Sequence, residues 1–309
     1  MWISYFPLFI LHSATFLVAP LVALPEKFFD SKSLYRELHK LDHDDRWERF
    51  TSLHSGQHYF DLPVAGSHND CDFDEKDGHE RGCQNWIFTI SRHEKYPEMF
   101  STLPTVLLMA GIEGDDAMGT TALVETARLL LEAISCSDGL IFEDQEHKCP
   151  SHKHPEAMQT IVWLANLVST RRIIIVPAVN SLGLYKKTLS ENGKHPETDF
   201  PSKETDGCFE TITARTINGL FRKHLIQLSL SFRTLEKSDD IYDGHGFPRL
   251  ASTNDNLESG DKAGWDALVQ GLQLYGKNNH DIHIDYSSKP LGHYYDERGM
   301  EYWSYRGCV

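Results

Sequence analysis

Hydrophobic and polar residues along this chain form two recurring kinds of segment. Continuous apolar runs bounded by turn residues occur at 105–111 (TVLLMAG), 171–180 (RRIIIVPAVN) and 225–232 (LIQLSLSF). Such runs are typical of strands that are buried on both faces of a sheet. The segment 85–91 (NWIFTIS) alternates in the manner of a further strand. The pattern therefore predicts at least these strands in one sheet.

Helical periodicity separates the predicted strands. Leu34, Leu38 and Leu41 share one face of the segment 31–53, which Ser31 is placed to cap. Further amphipathic helices are predicted at 120–135, 155–170, 210–224 and 263–278. Strands that alternate with helices predict a single α/β domain, with a parallel or mixed sheet covered on both faces.

Three predicted loops follow the ends of strands. They are the loop within 108–119 (LMAGIEGDDAMG), the loop at 180–183 (NSLG) and the loop at 231–234 (SFRT). In open α/β sheets, ligands bind beyond the carboxyl ends of the strands, where such loops lead into helices. These loops therefore predict one candidate cleft.

The first of these loops carries the acids Glu113, Asp115 and Asp116 among three glycines. Carboxylates can ligate hard cations, so a metal site is one interpretation. The other is that the acids cap the helix expected after Gly119, where the helix dipole favours negative charge. We favour capping, which needs no ligand.

Composition and charge narrow the class of protein. The chain has 309 residues, 40% of them hydrophobic, and a formal net charge of −15. These values fit a globular domain and argue against a nucleic-acid partner, since phosphate binding needs basic surface.

The N-terminal residues are apolar from Trp2 to Leu24, with only His12 interrupting. Pro20 and Pro25 near the end of this run favour a cleaved signal peptide over residues 1–24 rather than an uncleaved anchor. No second run of spanning length follows, so the segment 25–309 is predicted to be a secreted domain without a membrane contact.

An export signal makes disulfides the expected state of the cysteines. The chain contains six, at Cys71, Cys83, Cys136, Cys149, Cys208 and Cys308. Short loops favour Cys71–Cys83 and Cys136–Cys149, which leaves Cys208 with Cys308, although other pairings stay open. A zinc site formed by Cys149 with His147, His152 and His154 is less favoured, because it has a single thiolate.

The order of the motifs resembles that of the zinc metallocarboxypeptidases, in particular the carboxypeptidase N/E branch. The similar segments are NWIFTIS, LMAGIEGDDAMG, NLVSTRRIIIVPAVNSLGLYKK, ETDFP followed by ETITA, LIQLSLSF and YYDERGMEYWSY. The resemblance implies an eight-stranded mixed sheet flanked by helices. It also implies that the last part of the domain, with the catalytic Glu of the family, would lie beyond Val309.

Active members of that family bind zinc through a His-x-x-Glu pair and a later His, leaving a position open for water. The resemblance places Glu113, Asp116 and Ser231 at these three positions. All three residue types differ from the ligands of the family. Zinc is therefore the cofactor that the family implies, and we expect it to have been lost. A replacement ligand at His245 is a weaker interpretation than an ordinary loop histidine.

The substrate-binding positions implied by the resemblance also differ. The Asn-Arg pair that holds the substrate carboxylate falls at Glu197 and Thr198, and an acid in this place repels a carboxylate. The other implied positions are Thr188 (with Lys186 and Lys187 nearby), Asn180, the cleft tyrosine Tyr294 and the specificity position Glu301.

These changes predict a secreted, catalytically inactive homologue that keeps a cleft for peptide or protein C-termini. The alternative is an active zinc carboxypeptidase with an atypical metal site and a longer full-length product. Such an enzyme would remove C-terminal residues, basic ones in view of Glu301. A third interpretation is that a product ending at Val309 does not fold stably.

Overall fold

The computed structural model describes residues 28–59, 67–68, 83–92, 103–138, 149, 155–196, 199 and 209–232. The strands are β1 (Thr51–Ser55), β2 (Ser67–His68), β3 (Cys83–Gln84), β4 (Trp86–Ile90), β5 (Thr105–Ala110), β6 (Arg172–Val176) and β7 (Ile226–Phe232). The helices are α1 (Ser31–Asp42), α2 (Gly56–Tyr59), α3 (Ala117–Ser137), α4 (Pro155–Thr170), α5 (Ser181–Lys186) and α6 (Ile212–Lys223).

A five-stranded mixed sheet forms the centre of the described residues, in the order β1-β4-β6-β5-β7. β5 pairs in parallel with both β6 and β7, whereas β4 runs antiparallel to β1 and β6. β2 and β3 form a separate two-stranded sheet. The carboxyl ends of β5, β6 and β7 therefore meet at one edge.

Both faces of the central strands are buried, which explains their continuous apolar sequences. Ile173 and Ile175 of β6 pack with α1, α3 and α4 on one face of the sheet. Ile174 and Val176 point to the other face, where they pack with α6 and Tyr59 of α2. Successive side chains of β6 point to opposite faces of the sheet, so the strand contributes to a hydrophobic layer on each face.

The first predicted helical segment contains two different elements. α1 ends at Asp42, and 51–55 form strand β1 on the edge of the sheet. The predicted cap was also wrong by one residue, because Asp30 rather than Ser31 is the N-cap. The Asp30 side chain accepts from the Ser33 N–H at 2.8 Å, and the Ser33 hydroxyl accepts from the Asp30 N–H. This reciprocal pair satisfies two backbone donors.

The remaining elements confirm the predicted class of fold. A mixed α/β sheet flanked by helices is present, and the strands expected at 85–91, 105–111, 171–180 and 225–232 all form. The NSLG segment, expected to be a loop, is the short helix α5. The helix expected at 263–278 lies outside the described residues. Of the eight strands that the resemblance implies, the described residues include five in the main sheet.

A disulfide joins the end of α3 to the segment before α4. Cys136 and Cys149 are bonded, as their spacing predicted, with a Cα–Cα distance of 5.6 Å. Cys83 is also disulfide-bonded. Its expected partner Cys71, and the expected pair Cys208–Cys308, lie outside the described residues. Among the described helices, none is both long and apolar enough to cross a membrane.

Candidate functional site

The candidate cleft lies at the edge where the three parallel strands end. Two segments line it, the loop from Gly111 to Asp116 after β5 and the chain from Pro177 into α5 after β6. Gly111 has a φ of 65°, a left-handed conformation that glycine adopts readily. The turn at Gly111 brings the acids of the first loop to this edge.

Asp116 is the N-cap of α3. Its Oδ1 accepts a hydrogen bond from the Gly119 N–H at 2.9 Å, and the residue is only 5% exposed. The predicted capping role is therefore confirmed for this acid. The helix begins at Ala117 rather than after Gly119, because the cap lies three residues earlier than the sequence suggested.

Glu113 and Asp115 occupy the turn that precedes the cap. Their carbonyls accept from the backbone N–H groups of Asp116 at 3.1 Å and Ala117 at 2.9 Å. Glu113 is half-buried and Asp115 is exposed. The three acids therefore differ in role, and Asp116 alone among them caps the helix.

Gly119 allows the first turn of α3 to close against the end of β7. A Cβ at this position would lie 2.9 Å from Oδ2 of Asp116 and 3.0 Å from the Phe232 carbonyl oxygen. Any side chain here would push apart the cap and the strand that carries Ser231. The structure thus brings the strand that carries Ser231 to the corner formed by the loop of Glu113 and Asp116.

Zinc, the metal that the resemblance implies, does not fit the residues at this corner. Structural and catalytic zinc sites use imidazole, thiolate and carboxylate donors. Here the Asp116 carboxylate already accepts a hydrogen bond from the Gly119 N–H, and the third implied position offers only the neutral hydroxyl of Ser231. Within the described part of the chain, no group of three His, Cys, Asp or Glu side chains is arranged to hold a metal ion.

Asn180 connects the two segments that line the cleft. Its side-chain amide donates to the carbonyls of Ile112 and Leu189, each at 3.2 Å, and its Oδ1 caps α5 at the Gly183 N–H. Its backbone N–H donates to the Gly111 carbonyl at 2.9 Å. The side chain is fully buried. Asn180 therefore holds together the two segments that line the cleft.

The backbones of these segments meet at two glycines. A Cβ on Gly114 would lie 2.2 Å from Cα of Gly183 and 2.6 Å from the Thr188 carbonyl oxygen. Real Cβ atoms do not approach so closely, so the contact requires glycine at position 114. The chain after α5 is consequently fixed against the acidic loop.

A buried carboxylate anchors the far end of the same chain. Glu191 is 4% exposed and accepts from the N–H groups of Ile212 and Thr213, the latter at 3.1 Å, and from the Thr213 hydroxyl. These are the first donors of α6, which the helix itself leaves unsatisfied. A turn at Asn192 and Gly193, both with positive φ, follows Glu191.

The implied substrate positions are described only in part. Thr188 is exposed on the rim of the cleft, and Glu197 and Thr198 lie outside the described residues. Their neighbour Asp199 is 8% exposed and accepts from the backbone N–H of Thr211, the N-cap of α6. Tyr294, Glu301 and His245 also lie outside the described residues.

A second cluster lies at the opposite edge, where the parallel strands begin. His224 precedes β7 and bonds through Nε2 to the Tyr59 hydroxyl, while Nδ1 lies 3.4 Å from Nη1 of Arg172. Nζ of Lys223 lies 4.0 Å from the centre of the Tyr59 ring. Burial, and then the charges of Arg172 and Lys223, lower the pKa of His224 to about 4.

Two buried residues that hold the segments near the cleft in place were not predicted from the sequence. Glu191 was not singled out, although the Asn192-Gly193 pair beside it is a recognisable turn signal. Asn85 was also missed; its Oδ1 accepts from the Ser181 hydroxyl at 2.7 Å, and its amide donates to the Val179 carbonyl. A single buried amide at the end of a strand has no sequence signal that would reveal it.

No protein-family model matches this sequence, and no curated protein matches it either. Solved structures do match. Thrombin-activatable fibrinolysis inhibitor (TAFI) aligns at a TM-score of 0.57 and 10% identity, over 96% of this chain and 68% of that chain. Bovine thrombin-activatable fibrinolysis inhibitor, in a structure with tick carboxypeptidase inhibitor, aligns at a TM-score of 0.56 and 10% identity. That alignment covers 90% of this chain and 82% of the bovine chain.

Carboxypeptidase A from Helicoverpa armigera aligns at a TM-score of 0.52 and 10% identity, over 86% of this chain and 58% of that chain. At such low identity the likeness concerns the fold alone. The chain therefore has a metallocarboxypeptidase-like fold, as the order of its motifs led us to expect.

Proposed function

We propose that this protein is a catalytically inactive relative of the zinc metallocarboxypeptidases that keeps a cleft for peptide or protein C-termini. The observation that carries the proposal is the bonding of Asp116, which the sequence resemblance aligns with the Glu ligand of the family. The carboxylate is buried and caps α3 through the Gly119 N–H. A carboxylate that caps α3 supports the proposal, because the resemblance implies a metal ligand at this position.

The other implied ligand positions support the same proposal. Glu113 replaces an imidazole with a carboxylate, and Ser231 replaces one with a hydroxyl. Hydrolysis in this family uses a water molecule whose pKa is lowered by the bound zinc. The donor set at these three positions does not suit zinc. The order of the similar segments supports, as part of this proposal, a relationship to the carboxypeptidase N/E branch in particular.

The cleft itself supports retention of binding. Asn180 and the Gly114–Gly183 contact fix its two lining segments relative to each other. A rigid rim lowers the entropic cost of holding a peptide. Loss of hydrolysis therefore does not imply loss of the cleft.

The test is metal analysis of the purified chain together with cleavage assays on peptides that end in Lys, Arg or Phe. We expect substoichiometric zinc and peptides of unchanged mass. One zinc per chain, with release of the terminal residue that a chelator abolishes, would contradict the proposal.

That contrary result would establish the second candidate, an active carboxypeptidase with a carboxylate-rich metal site. The observation that favours it is the exposed carboxylate of Asp115 beside the half-buried Glu113, since both are oxygen donors at the expected corner. Supplying manganese or calcium in place of zinc would extend the assay to hard cations.

We also propose that residues 1–24 are a signal peptide and that 25–309 form a secreted domain. The Cys136–Cys149 disulfide supports this route, since disulfides form in oxidising compartments. N-terminal sequencing of protein recovered from culture medium tests it. A protein that is retained in the cell, with Met1 intact, would contradict it.

A further inference from the structure

An exposed segment with two lysines borders the candidate cleft. We call residues 185–188 the lysine rim; it comprises the end of α5 and the two residues that follow. Tyr185 is 38% exposed, and Lys186, Lys187 and Thr188 are exposed as well. The preceding residues Leu182 and Leu184 are buried, so the segment emerges directly from the core.

The backbone of the lysine rim is held at several points although its side chains are exposed. The Thr188 N–H donates to the Gly183 carbonyl at 3.0 Å, and the Thr188 carbonyl lies against Gly114 of the acidic loop. The next residue, Leu189, accepts from the amide of Asn180. The two lysines therefore project from a fixed position beside the cleft.

Lys187 adopts a backbone conformation that lysine rarely takes. As the C-cap of α5 it has φ 56° and ψ 49°, in the left-handed region. Glycine or asparagine is the usual residue there, because a side chain is strained in that conformation. An unfavourable residue at a cleft rim suggests a role for its side chain.

The charges of the lysine rim also distinguish it from other basic residues of the cleft. Lys194, on the turn after Glu191, is paired with Glu210. Across the described residues, neither Lys186 nor Lys187 forms an ion pair with a carboxylate. The lysine rim therefore carries two cations that have no ion pair among the described residues, next to an acidic loop and in a chain of net charge −15.

We infer that the lysine rim binds an acidic segment of a peptide ligand held in the cleft. The inference rests on the proposed peptide-binding function and specifies its ligand. A short peptide can place its carboxylates on Lys186 and Lys187 alone. An extended polyanion would also meet the acidic remainder of the surface, which disfavours it.

Fluorescence anisotropy of the full chain with a labelled peptide ending in six glutamates tests the inference, and a six-glutamine peptide serves as the uncharged probe. At low ionic strength the glutamate peptide should bind and the glutamine peptide should not. Reversing both charges, in Lys186→Glu with Lys187→Glu, should weaken binding by about tenfold, since two exposed pairs become repulsive.

The single reversal Lys187→Glu should weaken binding by about threefold, and Lys40→Glu is its matched control. Lys40 is an exposed lysine in the last turn of α1, and its charge acts on Asp44, away from the cleft. Lys40→Glu changes the net charge by the same amount as Lys187→Glu. The affinity of the Lys40→Glu variant for the glutamate peptide should stay within about twofold of the original. Equal weakening by Lys40→Glu would overturn the inference, because overall charge would then explain binding.

Lys187→Gly separates the role of the side chain from folding. Glycine suits the left-handed conformation, so the midpoint of thermal unfolding should rise or stay level. Affinity for the glutamate peptide should nevertheless fall, by about threefold. Unchanged affinity in this variant would overturn the part assigned to Lys187.

Mass spectrometry of the incubated peptide distinguishes this inference from the proposed function. A bound peptide that loses its terminal residue contradicts inactivity and leaves the lysine rim supported. A peptide that is neither bound nor cleaved contradicts the lysine rim and leaves inactivity supported. Binding of a sulfated polysaccharide, but not of the glutamate peptide, would also overturn the inference.

Discussion

Asp116 shows how a carboxylate at a candidate ligand position can serve the fold. It lies at the edge where ligands bind in α/β sheets, and its bond to the Gly119 N–H satisfies a donor of α3. Glu113 and Asp115, its neighbours in the same loop, do not cap the helix. Position alone therefore does not assign the chemistry of an acid at this edge.

Replacing this cap should destabilise the protein. Asp116→Ala removes the acceptor for the Gly119 N–H, and we expect the free energy of unfolding to fall by about 1 kcal/mol. Asp116→Asn keeps an oxygen acceptor and should recover most of that loss. Chemical denaturation measures both values.

Asp115→Ala is the control, since this exposed acid does not cap the helix. Its free energy of unfolding should stay within about 0.5 kcal/mol of the original. A loss as large as that of Asp116→Ala would show that the loop acts through its total charge rather than through a cap.

Gly114→Ala should be among the most damaging small substitutions in the molecule. The added methyl group would meet the backbone of Gly183 and the Thr188 carbonyl, which cannot move as a flexible side chain can. We expect a loss of about 2–3 kcal/mol in the free energy of unfolding. Thermal unfolding of this variant beside Asp115→Ala measures it, and equal midpoints would contradict the close contact.

At the scale of elements, α6 depends on a residue outside the helix. Glu191 accepts from the backbone donors of Ile212 and Thr213, while Thr211 caps the donor of Ala214. The Glu191 carboxylate thus joins the chain that borders the cleft to the start of α6. The turn at Asn192 and Gly193 follows directly.

Glu191→Ala should loosen the start of α6. The variant leaves buried backbone donors without an acceptor, which costs about 1–3 kcal/mol. Hydrogen exchange at residues 212–213 should accelerate more than exchange at 217–220. Glu191→Gln keeps one oxygen acceptor and should show a smaller effect; uniform acceleration along α6 would contradict local anchoring.

The Cys136–Cys149 disulfide joins α3 to the segment before α4, two helices that pack on the same face of the sheet. The cross-link closes a short loop, with a sequence separation of 13 residues. Replacing both cysteines with serine should lower the free energy of unfolding by about 3 kcal/mol. Denaturant titration of the double variant measures the loss, and an unchanged midpoint would contradict a stabilising cross-link.

At the scale of the whole molecule, the His224 cluster should make stability depend on pH. Its folded pKa of about 4 lies below the ordinary value of 6.5. The unfolded chain therefore binds a proton first as the pH falls through about 6.5, and stability declines until the folded form is protonated near pH 4. We expect a contribution of about 1 kcal/mol, because the imidazole is partly solvated.

His224→Gln tests this contribution, since it can bond to Tyr59 without titrating. The difference in stability between pH 7 and pH 4.5 should be smaller in the variant than in the original chain. An identical pH profile in both proteins would show that carboxylates, rather than His224, set the dependence.

The sequence predicted the central strands well because each is a continuous apolar run buried on both faces, as β5 and β6 show. It predicted the cap at Asp116 because acids before a helix have a physical reason to be there. Edge strand β1 was missed because its sequence, TSLHS, continues an amphipathic pattern and has few apolar residues. The roles of Asn180 and Glu191 depend on contacts between distant segments, which periodicity does not encode.

Asp116 also constrains how this corner can change in evolution. Lengthening Asp116 to Glu would give a side chain that is not among those that cap helices well. That substitution would lose the bond to the Gly119 N–H. Selection for stability alone therefore keeps a short oxygen acceptor at position 116, with or without a ligand at this corner.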